Sequence, residues 1–114
     1  METRTMNLNG RCMRVSGTAA NGVVGAGTVL RFFQVGAKVI GRYSGGRIRR
    51  GCLIGQIADA RLSFRYLQRE ETGELHCGRS ECDVRELPDG RVRIIEHFRW
   101  STRAGSGVNV FEEV

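Results

Sequence analysis

The sequence predicts an all-β fold: one antiparallel up-and-down meander of about eight strands that closes into a small β-barrel. Three observations carry this reading. Apolar residues recur with a period of two in several segments, as they do when alternate side chains of a strand face a dry interior. Glycine-containing turns punctuate those segments at short intervals, which makes sequence neighbours antiparallel partners. An even strand count then brings the last strand back antiparallel to the first, so the sheet can close and lose its exposed edges.

The strands expected in order are 7–15, 26–34, 38–44, 47–57, 61–68, 74–86, 91–100 and 107–113. In "TVLRFFQ" Leu30 and Phe32 oppose Val29, Arg31 and Phe33. The third strand ends at "SGG" (44–46), the fourth at "ADA" (58–60). In "RLSFRYLQ" Leu62, Phe64 and Tyr66 oppose Ser63, Arg65 and Leu67, and "REETG" (69–73) follows. "LPDG" (87–90) is a Pro-Asp-Gly turn into "RVRIIEHFRW". There Val92, Ile94, Glu96, Phe98 and Trp100 share one face, and Arg91, Arg93, His97 and Arg99 the other.

The stretch "KVIGRYSGGRIRRGCLIGQI" (38–57) admits a rival reading. Leu53, Ile57, Ala60, Phe64 and Leu67 fall at helical spacing, and strand, glycine turn and helix together grip phosphates. The charges oppose it. Arg47, Arg49 and Arg50 would crowd the positive end of the helix dipole, and Glu70, Glu71 and Glu74 the negative end. No Ser, Thr, Asp or Asn caps the first turn, and Gly55 inside costs about 1 kcal/mol relative to alanine. Two strands are therefore expected, with Gly51, Leu53, Gly55 and Ile57 on one face and the glycines marking bends or close approaches.

At 114 residues the chain has room for one domain, 1–114, with residues 1–6 and the extreme C-terminus expected to be flexible. No apolar run is long enough for a membrane-spanning helix and no signal-peptide core stands at the N-terminus, so no membrane association and a cytoplasmic location are expected. Cys12, Cys52, Cys77 and Cys82 lack the paired spacing of structural zinc and read as reduced thiols, with no metal site. The net charge of +6 points to an anionic partner. The arginines nevertheless spread from Arg4 to Arg103 with only Arg47, Arg49 and Arg50 clustered, and no aromatic stacking series joins them, which argues against nucleic acid.

A barrel of eight strands is either filled by side chains or just wide enough for one small ligand. Glu96 is the sharpest candidate, because its phase places a carboxylate inward between Ile94 and Phe98, where an unpaired charge is very costly. Arg79 is one expected partner, in a structural ion pair; the alternative is a ligand anchored by Glu96, with Tyr43, Tyr66 and Trp100 adding hydroxyl and indole groups beside apolar surface. The expected occupant is a small apolar or anionic molecule; a filled core that serves structure or interaction is the alternative. No catalytic residue is assigned: His76, His97 and Cys77 have no nucleophile–base partner legible in sequence. Val29, Phe33, Ile54 and Ile95 face outward, so a homodimer through the barrel wall is a further expectation.

The ordered motifs "NLNGRCMRVSGTAANGVVGAGTVLRFFQ", "RYSGGRIRRGCLIG", "RYLQREETGELHCGR", "LPDGRVRIIEHFRW" and "SGVNVFEE" resemble a family of small bacterial proteins labelled N-acetylglutamate synthase. The resemblance runs from Asn7 to Glu113, and the barrel layout is similar to the avidin and lipocalin group. The label implies acetyl transfer from acetyl-CoA to glutamate, with acetyl-CoA as the cofactor only on that reading. No catalytic residue comes with the resemblance.

Overall fold

Turn chemistry sets the strand order. The computed structural model describes residues 6–18 and 22–114. Among them eight strands follow one another: β1 (Cys12–Gly17), β2 (Val29–Val35), β3 (Lys38–Gly45), β4 (Ile48–Ala58), β5 (Arg61–Glu70), β6 (Leu75–Glu86), β7 (Val92–Trp100) and β8 (Ser106–Glu113). Gly36, Gly45, Gly46, Gly73 and Gly90 take positive φ in the connecting turns, and Asp59 does so at φ 56° between β4 and β5. A two-residue hairpin loop needs that left-handed geometry, which glycine and aspartate tolerate.

Every consecutive pair is antiparallel, and β1 also pairs with β8, so the sheet is a closed barrel. The up-and-down eight-stranded architecture agrees with the alternation in the sequence. Residues 47–68 form β4, a tight turn and β5, and the described residues contain no helix. The first strand differs in place. Asn7–Arg11 precede β1, with Leu8 buried and its amide bonded to Gln34, because "LNG" supplies a turn at Asn9–Gly10. The flexibility expected for residues 1–6 falls, apart from Met6, outside the described residues; Met6 donates its amide to the Asp59 carbonyl. At the other end Val114 donates to the Cys12 carbonyl.

Glycine lets the barrel curl tightly at two points of β4. A Cβ on Gly55 would overlap the Ser63 carbonyl and the Phe64 backbone, and one on Gly51 would overlap the Tyr43 ring. Gly51 stands opposite Tyr43 in the ladder, so the ring lies over the space the missing side chain leaves.

The interior divides into two halves. At the end holding the β2–β3, β4–β5 and β6–β7 turns, Leu8, Met13, Phe32, Val39, Ile57 and Leu62 are fully or almost fully buried and form a dry plug. At the opposite end the inward positions turn aromatic and polar: Tyr43, Tyr66, Gln68, Glu70, Glu96 and Trp100. Val23 and Val24, in the coil before β2, pack at that end, and Thr28 donates its hydroxyl to the Gly45 carbonyl at 3.0 Å.

Candidate functional site

The polar half contains a cavity of about 30 Å³ lined chiefly by aromatic and aliphatic side chains, with Glu96, Gln68 and Asn109 as its polar groups. Glu96 reaches it because β7 keeps strict alternation from Val92 to Trp100, placing every even-numbered residue inward. Its carboxylate is 6% exposed. The Ser80 hydroxyl donates to Oε2 at 2.6 Å and the Asn109 amide to Oε1 at 2.9 Å, while Thr18 donates to the Asn109 Oδ1 at 2.7 Å. No cation pairs with Glu96 among the described residues. Burial pushes the Glu96 carboxyl up from its ordinary value, against the hydrogen bonds from Ser80 and Asn109, which favour the charged form.

A second polar chain runs toward the mouth. Tyr43 donates its hydroxyl to Gln68 Oε1 at 2.9 Å, and Gln68 Nε2 donates to Glu70 Oε2 at 2.8 Å. Arg103 closes the chain, donating Nη2 to Glu70 Oε1 at 2.8 Å while its guanidinium lies 4.6 Å from the centroid of the Trp100 indole. Burial raises the Glu70 carboxyl, but the bonds from Arg103 and Gln68 outweigh it and hold the group below the ordinary range. Glu70, Glu74 and His76 place ligand atoms within 4.8 Å of one another; Glu70 already serves Arg103 and Gln68.

Both tyrosines remain neutral phenols. Burial and then the nearby Glu96 push each hydroxyl well above the ordinary value. Tyr66 has little holding it, since its hydroxyl lies 3.5 Å from the Arg99 carbonyl oxygen, a long contact. Trp100 packs edge-on against Tyr66 and Phe98, and its Nε1 is a buried polar atom without a hydrogen-bond partner among the described residues.

This closed eight-stranded meander, with a polar pocket at one mouth, now has a counterpart by sequence. A family model described as "Avidin-like protein" matches residues 6–114. The chain belongs to this avidin-like family. Searches of curated proteins and of solved structures return no match.

The avidin-like barrel brings four of the five residues singled out in the sequence to one cavity: Tyr43, Tyr66, Glu96 and Trp100 all line it. Arg79 is the correction. It lies on the exposed outer face of β6, and its neighbour Ser80 is the inward residue that meets Glu96. The phase of β6 explains this, because its inward positions are the small Gly78, Ser80 and Cys82 followed by Val84, so no bulky apolar stripe marks the inner face. Gln68, Asn109 and Ser80 were missed. Two had a signal: Gln68 follows Tyr66 by two, and Asn109 precedes Phe111 by two, so each shares a face with a buried aromatic.

The anionic occupant expected from net charge meets no basic side chain in the cavity lining. Acetyl-CoA does not fit this interior cavity either. A space of about 30 Å³ is far smaller than such a cofactor, and the strand, glycine turn and helix that would hold its phosphates are replaced by the β3–β5 hairpins.

Proposed function

We propose that this protein is a small-molecule binding barrel whose occupant is largely apolar and is anchored through a hydrogen-bonding group at Glu96, with Tyr66 and Trp100 beside it. The observation that carries this reading is the Glu96 carboxylate itself. It sits buried on a cavity wall, held by two neutral donors and facing no cation among the described residues, an arrangement that costs stability. The indole Nε1 of Trp100 is a second buried polar group in the lining left without a partner. A cavity of about 30 Å³ holds about two water molecules, so a larger occupant enters by moving Val23 and Val24, coil residues that line one side. The test is a thermal-shift and calorimetric screen of apolar metabolites bearing one polar end. A genuine ligand at a hundredfold excess over its Kd stabilises the fold by about 2.7 kcal/mol. Glu96→Gln weakens that ligand while the variant remains folded. If no compound stabilises the wild type, the filled-core reading replaces this one.

Self-association is a second reading with its own observation. Phe33, Ile40 and Ile54 are exposed at 45%, 46% and 65%, and they lie side by side in one register row across β2, β3 and β4. We propose that this row is a homodimer contact, for which light scattering gives twice the 12.7 kDa monomer mass and Ile54→Glu returns the monomer. A wild type that stays at the monomer mass at every accessible concentration overturns it.

A further inference from the structure

The arginines that look scattered along the chain are gathered by the strand register. Arg31 stands opposite Arg42 across β2 and β3, Arg50 opposite Arg69 across β4 and β5, and Arg65, Arg79 and Arg99 form one row across β5, β6 and β7. Arg49 adjoins Arg50 where β4 carries a bulge, and both side chains are exposed. Like charges directly opposite in a ladder destabilise it. Six other arginines behave differently: Arg11, Arg47, Arg61, Arg91, Arg93 and Arg103 each face a carboxylate. The guanidinium groups of the eight make no ion pair or hydrogen bond among the described residues.

Five of the eight, Arg31, Arg42, Arg49, Arg50 and Arg69, line a single open groove of about 1120 Å³ on the outer wall, and no acidic side chain lines it. The groove reaches from Arg31 on β2 to Arg69 on β5, four strands or roughly 14 Å at about 4.8 Å per strand. That width exceeds a single phosphate group. We infer that this wall is a binding surface for the phosphate backbone of double-stranded nucleic acid, with the guanidinium forks of the groove gripping successive phosphates.

Two features select this occupant. The arginine-lined groove is hollow rather than flat, so it suits a convex rod of charge better than a membrane plane. The groove lining holds no exposed aromatic ring: Tyr43 is the aromatic residue there, buried with its hydroxyl on Gln68, and the exposed Phe33 lies outside it. Single strands are held largely by base stacking on such rings, whereas a duplex presents its phosphates without them. Arginine grips those phosphates bidentately. Binding is therefore indifferent to base sequence and steeply dependent on salt. The inference does not rest on the interior site.

Fluorescence anisotropy with a labelled two-turn DNA duplex tests it on the full chain. Five phosphate contacts give a slope of log K on log salt near −4.5, which is about a 20-fold loss for each doubling of salt. The double variant Arg42→Ala/Arg69→Ala flattens that slope by about two, and unrelated duplex sequences bind equally. Removing like-charge neighbours leaves the barrel folded, which circular dichroism checks; Arg31→Ala, opposite Arg42 in the groove, gives an independent decrease of about one. Arg91→Ala, outside the groove and paired with Asp89, leaves the slope unchanged. The inference is overturned if no duplex binds at low salt, if the double variant binds with unaltered slope, or if a single strand of equal length binds more tightly. It is equally overturned if tripolyphosphate or phosphatidylserine vesicles bind through Arg42 and Arg69 while the duplex does not.

Discussion

Replacing Glu96 by glutamine separates a buried, unpaired carboxyl from a salt-bridged one by the sign of its pH dependence. In the wild type the group is almost wholly buried, accepts from two neutral donors and has its pKa raised by burial. Below the ordinary carboxyl pKa both the folded and unfolded chains carry the proton, and the group adds no pH dependence. Between the ordinary and the raised value the folded chain holds a proton that the unfolded chain has lost. Stability therefore falls as pH rises, by about 1.4 kcal/mol for each pH unit in that window, and levels off above the raised value. Glutamine keeps the carbonyl that accepts from Asn109 and cannot ionise. At acidic pH the two proteins differ only by rearranged hydrogen bonds, about 1 kcal/mol. As pH rises the variant gains steadily on the wild type. Urea unfolding followed by Trp100 fluorescence, from acidic to mildly alkaline pH, measures the gap directly, and titrations common to both proteins, such as Glu70, cancel. A gap that stays constant, or that opens in favour of glutamate as pH rises, refutes the reasoning, because the latter is the mark of a carboxylate paired with a cation.

Two further substitutions test the walls of the site. Arg103→Ala strands the Glu70 carboxylate, which is 4% exposed, and removes the cation from the Trp100 face; with Arg103 itself partly solvated, the loss is about 2–3 kcal/mol by chemical denaturation. That loss is greatest above the ordinary carboxyl pKa and shrinks as pH falls through the lowered Glu70 value. Gly51→Ala costs about 1–3 kcal/mol because the Tyr43 ring must shift off its bond to Gln68, and Gly55→Ala costs more, since its methyl meets the Ser63 and Phe64 backbone. Equal melting temperatures for the two glycine variants contradict this ranking.

The fold was legible because its hydrophobic period and its turn chemistry agree. β7 alternates without a break, "LPDG" and "SGG" supply the left-handed residues their turns require, and the misplaced charges at 47–50 and 70–74 argue against a helix there. Glu96 was legible for the same reason, since its phase is fixed by four apolar neighbours. Its partners were harder to read because β6 lines the barrel mostly with small residues, which carry no hydrophobic signal, so Arg79 and Ser80 exchange faces with a slip of one. The arginine wall was not legible. Arg31 and Arg42, or Arg65, Arg79 and Arg99, become neighbours only through register, which depends on turn geometry many residues away.

The interior site has a reporter of its own, because the chain holds one tryptophan and its indole lies in the cavity wall. In a proton–nitrogen correlation spectrum the single Trp100 indole peak should move saturably with any compound that stabilises the wild type, and the shift should need far more compound in Glu96→Gln. A stabilising compound that leaves that peak in place, or moves it equally in both proteins, contradicts an occupant anchored at Glu96.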